Sequence, residues 1–322
     1  MVSGVARPLT LADRTRLRGG LVGVLMVVIW SGWFTLSRYG AKSQLTAYDI
    51  TALRFGTAVL VTAPLWRAYA WRRVRWGRAL VVALGCGFPY TLLAFHGLRT
   101  AGAAEAGVWI NGSLPALSAI LSVLWLRQSP PRRVWLTCLV VLVANLCVSR
   151  QLTSLWSWEG ERLLGIGQLL LAACVLATYM TAVRVWSFEL RDVIVLVPML
   201  NAALFLPVWW LALPSSASSA RPSELLLQAG YQGVLVSVLG LVLFTDCIKT
   251  LGLVASALFM ASVPAVTAVM AWLVLGEALS MGQIAGIALC SLALAQHALT
   301  HRSTRPDVAV ASAPAQQAEP GA

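Results

Sequence analysis

Charge is scarce in this chain. Only 11% of its 322 residues are Asp, Glu, Lys or Arg, and just twelve are acidic. Soluble domains carry about a quarter charged residues, so water is excluded as the main solvent of this surface. Histidine is scarcer still, limited to His96, His297 and His301. There is no HExxH, no GxSxG and no pair of aspartates inside an apolar run. The usual constellations of a membrane-embedded enzyme are therefore missing. No phosphate-cradling P-loop is present either, which argues against direct use of ATP. The six cysteines (Cys86, Cys138, Cys147, Cys174, Cys247 and Cys290) lie in apolar stretches without metal-ligand spacing. They read as free thiols acting as small apolar residues. Neither a metal nor a cofactor is expected.

What is present is hydrocarbon. The composition is 59% hydrophobic and the mean hydropathy is +0.78. Ten apolar segments run over residues 20–37, 48–66, 79–97, 102–126, 134–149, 163–183, 193–213, 226–246, 252–275 and 281–299. Most are long enough to cross a hydrocarbon core of about 30 Å at about 1.5 Å per residue. Continuous apolar runs select helices over the alternating strands of a barrel. The expected fold is an all-α membrane protein of ten transmembrane helices.

The net charge of +12 could suggest nucleic acid, but the basic residues sort by loop. With the N-terminus in the cytoplasm, Arg38, Lys42, Arg99, Arg150, Arg162 and Arg221 fall outside and Arg54 falls within the second span. The rest of the 24 basic residues fall inside. That asymmetry places both termini in the cytoplasm of a multi-pass inner-membrane protein. The excess charge also suits anionic lipid heads. The arginines before the first apolar run resemble a signal sequence, yet no cleavage site follows, so the first helix reads as uncleaved. The expected organisation is a cytoplasmic segment 1–19, a first five-helix unit 20–149, a periplasmic linker 150–162, a second unit 163–299 and a disordered cytoplasmic tail 300–322.

The two units echo each other. Ala101–Arg127 aligns with Thr250–Gly276, and Pro115 then falls on Pro264. Five helices per unit is an odd number, so two copies of one fold must cross the membrane in opposite senses. Inverted repeats of this kind mark secondary transporters with a site near the midplane. Mid-span prolines break the helical hydrogen bond to the carbonyl four residues earlier. The freed carbonyls belong to Asn111 and Met260 and must face protein, water or a ligand. Pro89, Pro198 and Pro207 have no such counterpart and read as structural kinks. Gly19 with Gly23, and Gly282 with Gly286, read as small-residue packing faces.

Ionisable groups inside a membrane are functional candidates by default. Arg54 lies about two turns into the second span. Glu105, about one turn into the fourth, and His96, at the end of the third, approach from the same side. The three can meet at the mouth of a central cavity, where Arg54 holds a carboxylate or phosphate, or else pairs with Glu105. Interfacial snorkelling is the bland alternative. Asp246 and Lys249 read as a solvated local pair on the opposite side. Trp66, Trp71, Trp76, Trp135, Trp156, Trp158, Trp186, Trp209 and Trp210 sit near span ends as an interfacial belt. Trp30, Trp33, Tyr90, Trp109 and Tyr179 lie deeper, lining a pathway or packing between helices.

GLRTAGAAEAGVWINGSLP (Gly97–Pro115), IWSGWFTLSR (Ile29–Arg38), ALRF (Ala52–Phe55) and the segment Ile248–Leu289 resemble the EamA family of the drug/metabolite transporter superfamily. The resemblance covers about residues 20–299 and includes the Gly276–Glu277 pair. It implies two inverted five-helix repeats, with helices 1–4 and 6–9 around the pathway and helices 5 and 10 outside, at a homodimer face. The first half has Arg127–Gln128 where the second has Gly276–Glu277, so Glu277 reads as structural, capping the start of helix 10.

The function expected is export of a small metabolite, amino acid-like compound or drug by alternating access. The alternatives are an importer or carrier of sugar- or nucleotide-like solutes and, from other classes, a membrane-embedded enzyme or a non-transporting scaffold. The pathway residues are Trp30, Arg54, Tyr90, His96, Glu105, Trp109, Asn111, Pro115, Tyr179, Met260 and Pro264. The partners are a small-molecule solute and the lipid bilayer, not nucleic acid.

Overall fold

The computed structural model describes residues 11–127, 131–148 and 160–300. The first ten residues, most of the expected linker and the tail beyond Thr300 lie outside these, as do Trp156, Trp158 and His301. The described residues are helical with short connections. The helices are α1 (Leu11–Lys42), α2 (Ala47–Trp66), α3 (Trp76–Gly85), α4 (Phe88–Thr100), α5 (Ala103–Leu126), α6 (Arg132–Val148), α7 (Gly160–Val185) and α8 (Leu190–Ala212). Then follow α9 (Pro222–Gln228), a π-helical stretch Ala229–Leu239, α10 (Gly240–Leu251), α11 (Leu253–Ala261), α12 (Val263–Leu275) and α13 (Met281–Thr300).

Eight helical segments among the described residues are long and apolar enough to cross a membrane. Two expected spans fall short of that measure. α2 carries Asp49 and Arg54 among its 20 residues, and α6 has only 17. α1 is longer than expected. Its 32 residues span about 48 Å at 1.5 Å per residue, so its basic first turns pass beyond a hydrocarbon core. α7 begins at Gly160, which puts Glu161 and Arg162 in its first turn rather than in a linker.

The outward faces suit lipid. Leu60, Leu124, Trp210, Leu211 and Leu292 are all exposed, a pattern that water-soluble monomers avoid. The inward faces are built from small residues, including Ala79, Ala83, Ala94, Ala106, Ala172 and Ala177, which let helices approach closely. Many buried threonine hydroxyls are satisfied within the helical turn. Thr35, Thr51, Thr62, Thr91 and Thr181 each donate to the carbonyl four residues back, as an apolar solvent requires.

Several interfaces join the two halves of the chain. α1 packs on α10 and α12, α2 on α8 and the π-helical stretch, α4 and α5 on α7, and α6 on α13. Gly19 faces Leu251, and Gly23 faces Phe259. Gly286 faces Val148 and the Ala144 carbonyl. Both glycine pairs expected to mediate packing therefore do so within the chain.

The prolines act unequally. α5 runs unbroken through Pro115, and α8 through Pro198 and Pro207. The aligned helix of the second half breaks at Ser262, with Pro264 in the first turn of α12. The Met260 carbonyl, expected to be free, faces the Ser262 N–H together with the Phe259 carbonyl. The helix ends preserve the echo. Arg127 (φ 52°) and Gly276 (φ 65°), aligned in sequence, both close their helices in the left-handed conformation.

The third expected span is two helices, broken at Cys86–Gly87. Such a break frees backbone groups that lipid cannot satisfy, and Asn201 of α8 takes them up. Its Oδ1 accepts from the Phe88 N–H at 2.8 Å, and its Nδ2 donates to the Ala83 carbonyl at 2.9 Å. A Cβ on Gly87 would lie 1.9 Å from Asn201 Oδ1. Gly87→Ala is therefore expected to lower the thermal unfolding midpoint in detergent by an overpacking cost of about 1–3 kcal/mol. Gly20→Ala, whose Cβ meets nothing within 4 Å, serves as the control and is expected to leave the midpoint unchanged.

Candidate functional site

Arg54 sits on α2 with only 8% of its surface exposed. Its Nε donates to Ser237 Oγ on the π-helical stretch at 3.1 Å. Its guanidinium carbon lies 5.9 Å from the Trp33 ring centre and 5.5 Å from that of Phe55. Tyr90 and Cys86 are near enough to interact with its charge, and Tyr179 packs against the same apolar cluster as Cys86. Tyr90 stacks on Trp33 at 5.6 Å. Arg54 makes no ion pair with a carboxylate among the described residues. Its Nη1 is buried without a hydrogen-bond partner, and so is the indole Nε1 of Trp33.

The π-helical stretch holds its side of this cluster by amides. Gln228 Nε2 donates to the Leu36 carbonyl, and Gln232 Nε2 to Ser37 Oγ and Gln228 Oε1. Tyr231 donates to the Ile29 carbonyl at 2.8 Å. Ser237 donates to the carbonyl five residues back, that of Gln232, the spacing a π-helix imposes. π-helical segments are frequent at functional sites. Gly233 lets α2 approach closely, since a Cβ there would lie 2.5 Å from Thr57.

The energetics leave the cluster incomplete. Burying an ion costs several kcal/mol even after relaxation, about as much as a well-made partner returns. Cation–π contact offers about 0.5–2 kcal/mol and one hydrogen bond to a charged group about 1.5–3 kcal/mol. Arg54 has those contacts and, among the described residues, no counter-charge.

Glu105, expected to join Arg54, pairs elsewhere. It is 4% exposed, and Arg162 Nη2 reaches both its oxygens at 3.2 Å. The first turn of α7 lies nearer to it than α2 does. His96 bonds the Leu92 carbonyl through Nδ1 and sets its ring against Tyr48, and so also stands apart. Trp30 packs on Phe244 and lies beside Gly240, directly after the π-helical stretch. Trp109 is buried in the main core, while Asn111 and Pro115 are half-buried on α5. Pro264 is buried and Met260 half-buried around the α11–α12 break, where Ser31 of α1 donates to the Val263 carbonyl. The structure thus brings Arg54, Tyr90 and Tyr179 together with Trp33, and leaves Glu105 and His96 out.

Glu277 joins three helices rather than capping the next one. Its Oε1 accepts from Arg38 Nε at 3.0 Å and Lys42 Nζ at 3.2 Å, and its Oε2 from the Ala103 N–H at 3.1 Å. It therefore caps α5 and clasps the end of α1. The start of α13 is capped by Ser280 and Gln283, which bond each other's backbone N–H groups. A recess of about 250 Å³ lies between Glu277 and the Glu105–Arg162 pair. At the same end Asp49, fully buried, accepts from the Thr46 N–H, Trp209 Nε1, Ser215 Oγ and the Ser216 N–H.

The opposite end is held differently. Asp246 pairs with Arg18 of α1 at 3.1 Å rather than with Lys249, because α10 lies along α1. Tyr69 donates to Asp192 at 2.6 Å, and Arg191 covers the Tyr69 ring. Burial and that hydrogen bond push the Tyr69 phenol up. Trp66, Trp71 and Trp76 cluster there, and Trp186 meets Trp125 and Arg78.

Sequence reasoning passed over Asp49, Arg162, Asn201, Gln228, Gln232 and Ser237. A signal existed for some of them. Gln228 and Gln232, four apart in an apolar run, share a helix face. Thr46–Asp49 has capping-box spacing. Nothing local marks Asn201 or Ser237.

The sequence profile of the EamA-like transporter family matches residues 17–150 and again residues 163–296. The chain belongs to the EamA-like transporter family. Among curated proteins none matches. A solved structure titled only "Crystal structure of protein" is similar in fold, with TM-score 0.59 and 22% identity over 89% of this chain and 98% of that one. Membership of the EamA-like family points to a membrane transporter of the drug/metabolite type, built from two repeats. The first repeat opens on α1 and the second on α7.

Burial alone would raise the Glu277 carboxyl, but the Arg38 and Ala103 hydrogen bonds, the Arg38 charge and Lys42 outweigh it and leave it below the usual value. A depressed carboxyl adds stability above its unfolded pKa of about 4.3, which is lost as pH falls through the lower folded value. Glu277→Gln is therefore expected to lower the unfolding midpoint at pH 7, and the gap from the parent to close as the pH falls below about 4.

Proposed function

We propose that this chain is an inner-membrane secondary transporter that exports a small metabolite, amino acid-like compound or drug by alternating access. Its ten helical rods, counting α3–α4, α9–α10 and α11–α12 as one each, are ten spans in two inverted repeats. Both termini lie in the cytoplasm. The direction of the rods supports the inversion. α1 ends at Glu277, where α5 begins. Glu105, also at the start of α5, pairs with Arg162 at the start of α7, so α1 and α7 run in opposite senses. Homologous helices running oppositely are the basis of rocking between repeats around a central site.

The observation that carries the reading is the buried Arg54 cluster. α2 of the first repeat supplies its charge and the π-helical stretch of the second supplies its hydrogen-bond partner. A site shared across the repeats changes its exposure when one repeat moves against the other. The solute and the bilayer are the partners in this reading, and a homodimer would use the outer faces of α6 and α13. Overexpression is expected to speed efflux of one solute class from preloaded cells, and Arg54→Ala is expected to abolish the gain at equal membrane abundance. Uptake in place of efflux would assign an importer, and no flux of any solute by folded protein would refute transport.

A further inference from the structure

Resting on the transporter reading, we infer that the Arg54 cluster is a binding site for the carboxylate of a monoanionic solute with an apolar, planar body. Two buried groups beside one another lack partners, Arg54 Nη1 and Trp33 Nε1. Both are donors only, so no rearrangement between them can satisfy either. What completes them is an acceptor. A neutral carbonyl would supply an acceptor but leave the guanidinium charge uncompensated. A carboxylate supplies two oxygens and one negative charge, which matches two donors and one positive charge. The guanidinium is also the planar fork best suited to a carboxylate.

The walls restrict the remainder of the solute. Trp33 and Tyr90 present stacked rings, and Phe55 lies 5.5 Å from the guanidinium carbon. These aromatic faces suit an apolar or aromatic body. Phosphate shares the oxyanion chemistry but carries close to two charges near neutral pH. The residues against Arg54, namely Trp33, Phe55, Cys86, Tyr90 and Ser237, bring no second cation. A single guanidinium therefore favours the monoanion.

The test uses the full chain in lipid nanodiscs with three probes: radiolabelled phenylacetate, its neutral isostere phenylacetamide, and inorganic phosphate. Phenylacetate is expected to bind saturably, phenylacetamide to compete at least about tenfold more weakly, as loss of a charge-assisted hydrogen bond implies, and phosphate not to compete. Arg54→Gln is expected to weaken phenylacetate about tenfold or more. Trp33→Phe, which keeps an aromatic ring and removes the N–H, is expected to weaken it several-fold, and Arg54→Lys to keep the preference for carboxylate over amide. Should Arg54→Gln fail to fold, Trp33→Phe and Arg54→Lys decide. No saturable phenylacetate binding, equal competition by the amide, displacement by phosphate, or unchanged affinity in Arg54→Gln or Trp33→Phe would overturn the assignment. Counterflow in proteoliposomes is read separately. Carboxylate binding without flux would leave this site standing and refute transport, whereas flux of neutral solutes without carboxylate binding would do the reverse.

Discussion

A guanidinium enclosed by helices and given no carboxylate among the described residues is the constraint on which the rest of this structure depends. Arg54 cannot give up its proton and is largely shielded from water where it lies. Its surroundings are therefore arranged around it: aromatic faces from α1 and α2, one hydroxyl from the second repeat, and a helix widened to offer that hydroxyl. Charge held this way in a membrane is costly, which makes Arg54 a functional candidate by default. The burial of Arg54 also binds the repeats, because the partner of a first-repeat charge is a second-repeat serine.

The two ends of the bundle are secured unequally. At one, Glu277 gathers Arg38, Lys42 and the Ala103 N–H, while Asp49 gathers α2 and the α8–α9 connection. These contacts are mostly shielded, and a shielded charge-assisted hydrogen bond is stronger than a solvated one. At the other end the Arg18–Asp246 pair is open to solvent, with Arg18 70% exposed, and exposed pairs are worth about 0–1 kcal/mol. The contacts at the Glu277 end are thus more shielded than the Arg18–Asp246 pair at the other.

Much of the architecture was legible because lipid imposes simple rules. Apolar runs of span length had to be helices, and the resemblance at Gly97–Pro115 and Ile248–Leu289 is matched by the family profile over both halves. What was not legible depended on side chains that arrive from distant parts of the chain. The break at Gly87 needs Asn201, more than a hundred residues away, to satisfy Ala83 and Phe88. Glu105 found Arg162 rather than Arg54, and Glu277 found Ala103 rather than its own helix, because in each case the nearer donor belongs to another part of the fold. Pro115 and Pro264 share a position in sequence yet only the second accompanies a break, so alignment alone did not forecast the local geometry. Arg54 was visible as a lone intramembrane charge, but its Ser237 partner was hidden within an ordinary apolar run.

In the alternating-access proposal the Arg54 cluster opens to one side of the membrane at a time, and thiol accessibility at position 237 tests this most directly. A single Ser237→Cys in a chain otherwise free of cysteine is treated with a small membrane-impermeant thiol reagent from either face. Labelling is expected from the face bearing Arg18 and Asp246, with labelling from the Glu277 face appearing once Glu277→Gln releases that end. A thiol that stays unreactive from both faces in the parent and in the Glu277→Gln chain would contradict it.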